Sequence, residues 1–289
     1  KFGVSMKSYF IHREKPSREK LIEIYNKTRG EADPEVIEKR YQVAQEIYSM
    51  YTNKIALFDN IILNTAEGFD EVTNIVRQLF TSFSTQRRLS SLESNKIFVI
   101  AGNSGSGKDI LLRRANQIGC LQIPKHTNRK PNLEDGKEMI FSGDSRYHLE
   151  SCKLQYENFG NKYGIDTLPI WRNLIMTNKH QVLVCSDIGI LRRLKAEFNE
   201  SIVSIYVHSD MNVQEYVKME QQKGSNMDYI RSRQNKYDEA HKNYAQNFTE
   251  YDKSFIYAES QKELMMQFAG FLGYFCEMVN EQKRGIAKG

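Results

Sequence analysis

The eight residues Gly102-Asn103-Ser104-Gly105-Ser106-Gly107-Lys108-Asp109 carry the chemistry of an anion cradle. Gly102 and Gly107 tolerate positive φ, so successive N–H groups of such a turn can converge on phosphate oxygens. Lys108 supplies an ammonium for terminal phosphates, and a helix starting there adds the partial positive charge of its N-terminus. Asp109 stands where Ser or Thr commonly follows the lysine and ligates Mg²⁺. A carboxylate is a hard-oxygen ligand for Mg²⁺, directly or through water, and the metal would offset its repulsion of an anionic nucleotide. The expectation is a site for ATP and Mg²⁺ built from Gly102, Asn103, Ser104, Gly105, Ser106, Gly107, Lys108 and Asp109, with Asp109 as the metal ligand.

The flanking elements must hold that turn. Ile97-Phe98-Val99-Ile100-Ala101 is β-branched, aromatic and apolar, as a buried strand should be. Ile110-Leu111-Leu112 and Arg113-Arg114 read as a helix stopped near Gly119. Strand, glycine-rich turn and helix in that order make the match a site rather than a chance turn. Further strands are expected near 97–101, 181–186, 202–207 and 253–258, separated by helices. That alternation implies an α/β fold of the P-loop NTPase kind, a parallel sheet with helices on both faces and a helical lid. Ligands then bind beyond the carboxyl ends of the strands.

The chain has 289 residues, 40% hydrophobic and 27% charged, ordinary values for a soluble protein with a core. Its net charge of +5 suits a small anionic substrate and does not by itself argue for nucleic acid. No apolar run reaches the length of a membrane span and no secretory signal is visible. Cys120, Cys152, Cys185 and Cys276 are scattered without paired spacing, as reduced thiols of a cytoplasmic protein would be.

The chain also matches itself. Ser8-Tyr9-Phe10-Ile11-His12 aligns with Ser204-Ile205-Tyr206-Val207-His208, and Phe58-Asp59-Asn60-Ile61-Ile62-Leu63 with Tyr251-Asp252-Lys253-Ser254-Phe255-Ile256. Between them lie helical stretches holding Ile37-Glu38-Lys39-Arg40 and Ile230-Arg231-Ser232-Arg233, and each copy closes with an amphipathic helix. Residues 1–90 therefore read as the C-terminal half of a unit, and residues 93–289 as a complete one. The polar stretch Ser82 to Asn95 reads as the linker. Because the chain opens on Lys1 rather than Met, an upstream portion is expected.

Within residues 93–289 the chain resembles the guanylate kinase family of P-loop nucleoside monophosphate kinases. His126-Thr127-Asn128-Arg129-Lys130-Pro131, with Asp135-Gly136 and Phe141 after it, is similar to the family's Ser-Thr-Thr-Arg-x-Pro segment. Phe159-Gly160-Asn161-Lys162-Tyr163-Gly164 resembles its Gly-Asn-Tyr-Tyr-Gly turn, and Val182 to Asp187 sits where it has a strand ending in Asp-x-Asp. The resemblance implies that Arg129 and Tyr163 bind the acceptor phosphate, that Asp187 lies near substrate and metal, and that Arg233 stabilises charge on the transferring group. Lys218 and Lys223 fall on the lid-like segment. Asp187 also reads as a helix N-cap, and its residue type leaves both roles open.

On the acceptor side the chain departs from the family at Asn132, Met139, Leu154, Ile165 and Cys185. Apolar side chains cannot satisfy the polar edge of guanine, and an unpaired buried polar group costs about 1–3 kcal/mol. Gly-x-Ser-Gly-Ser-Gly-Lys-Asp followed by two leucines also resembles ribose 1,5-bisphosphate phosphokinase, whose acceptor has no base. The implied activity is an ATP-dependent kinase acting on a small phosphorylated acceptor, GMP-like or ribose 1,5-bisphosphate. A non-catalytic guanylate kinase-like interaction module is the alternative, against which the intact loop argues. No specific nucleic acid and no membrane is expected as a partner, and oligomeric state is not legible.

Overall fold

The computed structural model describes residues 8–12, 17–31, 33–54, 58–64, 69–82, 95–103, 105–131, 136–141, 147–158, 160–177, 179–209, 217–218, 221–222, 227–257 and 261–272. The N-terminal part contains β1 (Tyr9–His12), α1 (Arg18–Arg29), α2 (Pro34–Asn53), β2 (Asn60–Leu63) and α3 (Phe69–Ser82). There follow β3 (Ile97–Gly102), α4 (Lys108–Gln117), β4 (Leu121–Gln122), β5 (Lys125–Thr127), β6 (Met139–Phe141), α5 (Tyr147–Glu150), β7 (Leu154–Asn158) and β8 (Asn161–Ile165). The chain continues through α6 (Thr167–Met176), β9 (Gln181–Val184), α7 (Ile188–Phe198), β10 (Ile202–Ser209), the long helix Met227–Gln246 and β11 (Lys253–Tyr257). A helix over 261–272 ends the described residues.

Five strands form a parallel sheet in the order β11-β10-β3-β9-β4. Every residue of β3 and β10 is buried, which is why both are almost continuously apolar rather than alternating. β3 is central: after it the chain fills one side with β4 and β9 and then crosses to the other with β10 and β11, so the turn after β3 opens at the switch point of the sheet. Helix α4 turns Ile110, Leu111, Leu112 and Ala115 inward, and α7 does so with Ile190, Leu191, Leu194 and Phe198. Leu264, Phe268 and Phe271 of the last helix are buried, with Phe268 and Phe271 edge-on to Phe98 and Phe255.

A second sheet, β6-β5-β8-β7, is inserted between β4 and β9 and was not expected from the strand pattern. Its strands are three to five residues long. β5 runs parallel to β6 and antiparallel to β8, and β7 and β8 form a hairpin.

β1 and β2 form their own parallel pair, with Tyr9 opposite Asn60, the register in which Ile205 faces Lys253. At the start of β1 the Ser8 N–H and hydroxyl donate to Asp59 Oδ2 at 2.7 and 3.1 Å, and the Asp59 N–H donates to Ser8 O at 2.8 Å. Ser204 and Asp252 make the same set at 2.8, 2.6 and 2.9 Å. The aromatic neighbours match as well. Phe10 stacks on Tyr51 at 4.4 Å and Tyr206 on Tyr244 at 4.2 Å.

These two strand pairs meet across an approximate two-fold axis. The Tyr51 hydroxyl donates to Ser254 O and the Tyr244 hydroxyl to Ile61 O, both at 2.8 Å. The Asn60 amide donates to Tyr251 O at 2.8 Å, while the Lys253 ammonium donates to Phe58 O. His12 and His208 face one another at 5.6 Å between ring centroids.

Candidate active site

The glycine-rich turn is anchored at both ends by contacts that leave no room for a side chain. Gly102 ends β3 with φ 147°, and a Cβ there would lie 2.5 Å from Val207 O. The Ser186 hydroxyl accepts from the Gly102 N–H at 3.2 Å and donates to Gly102 O at 2.9 Å, tying the turn to the end of β9. Gly107, at φ 84°, caps α4, and a Cβ there would lie 2.7 Å from Leu264 Cδ2. With glycine at the cap, no side chain accepts from the first turn of α4. The Ile110 N–H turns to Gly107 O at 3.0 Å, and the amides ahead of it have no acceptor within the helix, the arrangement that makes a helix start an anion site.

Two polar side chains inside the turn are left without hydrogen-bond partners. Asn103 is buried with neither amide atom hydrogen-bonded, and Ser106 is fully buried with its hydroxyl unsatisfied. Buried polar groups are ordinarily paired, so an orphaned amide and hydroxyl beside a helix start fit phosphate oxygens. The Lys108 ammonium donates to Asn103 O and so spans the turn. Asp109 is exposed on the first turn of α4. Ser104 lies outside the described residues.

Asp187 follows β9 and caps α7, its Oδ1 accepting from the Ile190 N–H at 2.8 Å. It follows Ser186, which ties to the glycine-rich turn, and performs the capping role that its residue type allowed. Arg233 falls on the helix Met227–Gln246, and its side chain is outside those described. Lys218 is exposed, and Lys223 lies outside the described residues.

The residues expected on the acceptor side gather on or beside the second sheet. Thr127 pairs with Tyr163, and Tyr163 pairs with Tyr156, so the three share one face. Tyr163 is buried, its ring stacked on Tyr156 at 5.2 Å. The Thr127 hydroxyl donates to Lys162 O at 3.0 Å and accepts from the Arg129 N–H at 3.1 Å, fixing the turn that presents Arg129. The Arg129 guanidinium lies 5.4 Å from the centre of the Phe141 ring and donates to Lys130 O at 3.1 Å. Arg129 and Tyr163 are therefore brought onto one sheet, while the cradle stands at the end of the other.

The register puts Met139, Leu154 and Ile165 on the same face as Thr127 and Tyr163. Lys125 is on it too, opposite Met139 and two residues before Thr127. This lysine is only 7% exposed, with its ammonium 5.9 Å from the centre of the Tyr163 ring. Burial lowers its pKa, opposed by the nearby Cys185, Asp109 and Glu138. Cys185 is itself buried, which pushes its thiol pKa up, and it hydrogen-bonds with the Tyr156 hydroxyl. Sequence reasoning missed Lys125, Tyr156 and Ser186. The alternation of Lys125, Thr127 and Arg129 was the available signal, and it needs β5 to be recognised first.

Among the described residues, no three His, Cys, Asp or Glu side chains are grouped to hold a metal unaided, and no helix is long and apolar enough to cross a membrane. No protein-family model and no curated protein matches the chain. Among solved structures it is similar to the guanylate kinase from Anaplasma phagocytophilum, at 18% identity and a TM-score of 0.42, over 62% of this chain and 85% of that one.

Proposed function

We propose that residues 93–289 form an ATP-dependent kinase that transfers the γ-phosphoryl group to a small phosphorylated acceptor, a nucleoside monophosphate or ribose 1,5-bisphosphate. The observation that carries this reading is the orphaned amide of Asn103 and hydroxyl of Ser106, buried in a glycine turn that opens onto a helix start. Nothing apolar would satisfy those atoms, and triphosphate oxygens would.

Phosphoryl transfer is catalysed mainly by positioning and by cations around the equatorial oxygens. In this chain the turn and Lys108 hold the donor, and the Lys108 ammonium exchanges Asn103 O for phosphate oxygen. Arg129 and Tyr163 hold the acceptor phosphate. Asp187 and Arg233 act nearest the transferring group, Arg233 from the long helix as the lid closes. Asp109 is the carboxylate that would hold Mg²⁺, whose charge neutralises that of the phosphates.

For residues 1–90 the proposal is a partial repeat of the same fold, docked against residues 93–289. The matched Ser–Asp hydrogen bonds and strand registers support it. So does Ile11, which is 64% exposed where its counterpart Val207 is fully buried beside β3. Among the described residues no strand lies beside β1 where β3 lies beside β10.

The test of the kinase reading is ADP release with an acceptor panel of GMP, other nucleoside monophosphates and ribose 1,5-bisphosphate. Lys108→Ala should abolish turnover and weaken ATP binding at least tenfold. Unchanged turnover in that variant would overturn the assignment. Arg129→Ala should raise KM for the acceptor while leaving KM for ATP within twofold, and an equal rise in both would refute the division of labour.

A further inference from the structure

We propose that the open edge of β1 is a docking site for a strand of another polypeptide, one that runs parallel to β1 and takes the place that β3 holds beside β10. The inference rests on reading residues 1–90 as a partial repeat and names the partner such a repeat accepts.

The direction of the backbone groups along β1 follows from its pairing. Ser8 O accepts from the Asp59 N–H at 2.8 Å, and His12 O from the Asn64 N–H at 2.7 Å. Both residues therefore turn their main chain toward β2, and alternate residues of a ladder strand serve opposite edges. Ile11 turns its N–H and C=O the other way, where no strand lies among the described residues. Its side chain is exposed as well. Such an edge is a template for further pairing, and edges meant to stay bare are blunted by charge, proline or a bulge. Tyr9-Phe10-Ile11-His12 has no Lys, Arg, Asp, Glu or Pro and pairs with β2 residue for residue.

The matching half of the molecule shows what fits. There the Asp252 N–H donates to Ser204 O as Asp59 does to Ser8 O, and Val207, the counterpart of Ile11, faces β3. The register sets Ile100 opposite Ile205, Ala101 opposite Tyr206 and Gly102 opposite Val207. The last pair is so close that a Cβ on Gly102 would lie 2.5 Å from Val207 O. Carried to β1, these pairs call for a β-branched residue opposite Tyr9, a small one opposite Phe10 and glycine opposite Ile11. Main-chain hydrogen bonds supply the attraction in strand addition, and the side-chain pattern supplies the choice. β3 is committed already, held between β9 and β10 in its own sheet. Two molecules joined through their β1 edges about a two-fold axis would meet antiparallel, against the parallel sense of the repeat.

Fluorescence anisotropy with a labelled peptide of the sequence of residues 95–103 tests the proposal, with a scrambled peptide of the same composition as control. The whole chain should bind the first at least tenfold more tightly than the second. Ile11→Lys puts a charge on the edge at an exposed position, so it should weaken binding at least tenfold and leave the melting temperature unchanged. Ile11→Pro deletes the outward N–H while sparing the ladder to β2, and should abolish binding. Exchange of the Ile11 amide should be fast in the free chain and slow at least tenfold on saturation with the peptide. No preference for the strand peptide, binding indifferent to both variants, or an Ile11 amide already protected in the free chain, as monomer or dimer, would overturn the docking site. A nitroxide on the peptide's C-terminus should broaden the His12 amide signal more than that of Ser8. The opposite order, with binding still dependent on Ile11, would sink the partial-repeat reading and leave the docking edge standing.

Discussion

Asp187 is the residue whose two readings can be separated most cleanly. Its Oδ1 caps α7, and caps of this kind contribute about 0.5–2 kcal/mol. Asparagine caps as well as aspartate but carries no charge. Asp187→Asn should therefore leave the melting temperature unchanged and lower kcat at least tenfold, whereas Asp187→Ala should lose both stability and turnover. Full activity in the asparagine variant would reduce Asp187 to a cap. Lys253 gives a pH-dependent counterpart. Burial lowers its pKa from 10.5 to about 8, with Asp59 pulling it partly back. Between those values the unfolded chain holds a proton that the folded chain has lost, so stability rises with pH across that window. Below about 8 the burial penalty is present in full. Denaturant unfolding should show the wild type gaining up to about 3 kcal/mol between pH 7 and pH 10.5, relative to Lys253→Met. Parallel curves for the two proteins would show that this ammonium is not buried in solution.

At the level of elements, legibility followed the kind of signal each segment carries. β3, β9, β10 and β11 are apolar runs between turn signals, and α4 is announced by the glycines that must precede it, so the parallel sheet and its cradle could be read from residue types alone. The second sheet could not. Its strands are too short for a period of two to stand out, and Lys125-His126-Thr127-Asn128-Arg129-Lys130 reads as a solvated loop until pairing with β8 shows which residues face inward. Lys125 went unnoticed for that reason, while Arg129 and Tyr163 were named only through family resemblance. Asp187 was legible as a cap because capping is local chemistry. The role of β5 as a platform is testable through Thr127, which ties it to Lys162 and to the Arg129 turn. Thr127→Val keeps the shape and deletes both hydrogen bonds, so it should cost about 1–3 kcal/mol. It should also raise KM for the acceptor with KM for ATP unaffected, and steady-state kinetics in both substrates would expose any spread to the donor side.

In the whole molecule, the interface between the two strand pairs is built from exchanged hydrogen bonds. Tyr51 and Tyr244 each bury a hydroxyl against the opposite pair's backbone carbonyl. Removing either should leave that carbonyl unsatisfied, at about 1–3 kcal/mol. Tyr51→Phe and Tyr244→Phe should each lower the melting temperature, with the larger loss at Tyr244, whose hydroxyl also meets Asn60 Oδ1 at 3.2 Å and Ser254 Oγ at 2.9 Å. A silent Tyr51→Phe would mean that the N-terminal pair is only loosely attached.

That exchange joins positions 203 residues apart, Tyr51 and Ser254. On the ribosome the leading strands emerge long before β11 exists to receive them. The Tyr51 hydroxyl and the Ile61 carbonyl must then wait for their partners while the rest of the polypeptide is made. Contacts of such separation close late and fold slowly. A chain stalled before residue 250 should therefore lean more on chaperones and aggregate more readily than one released with β11 in place.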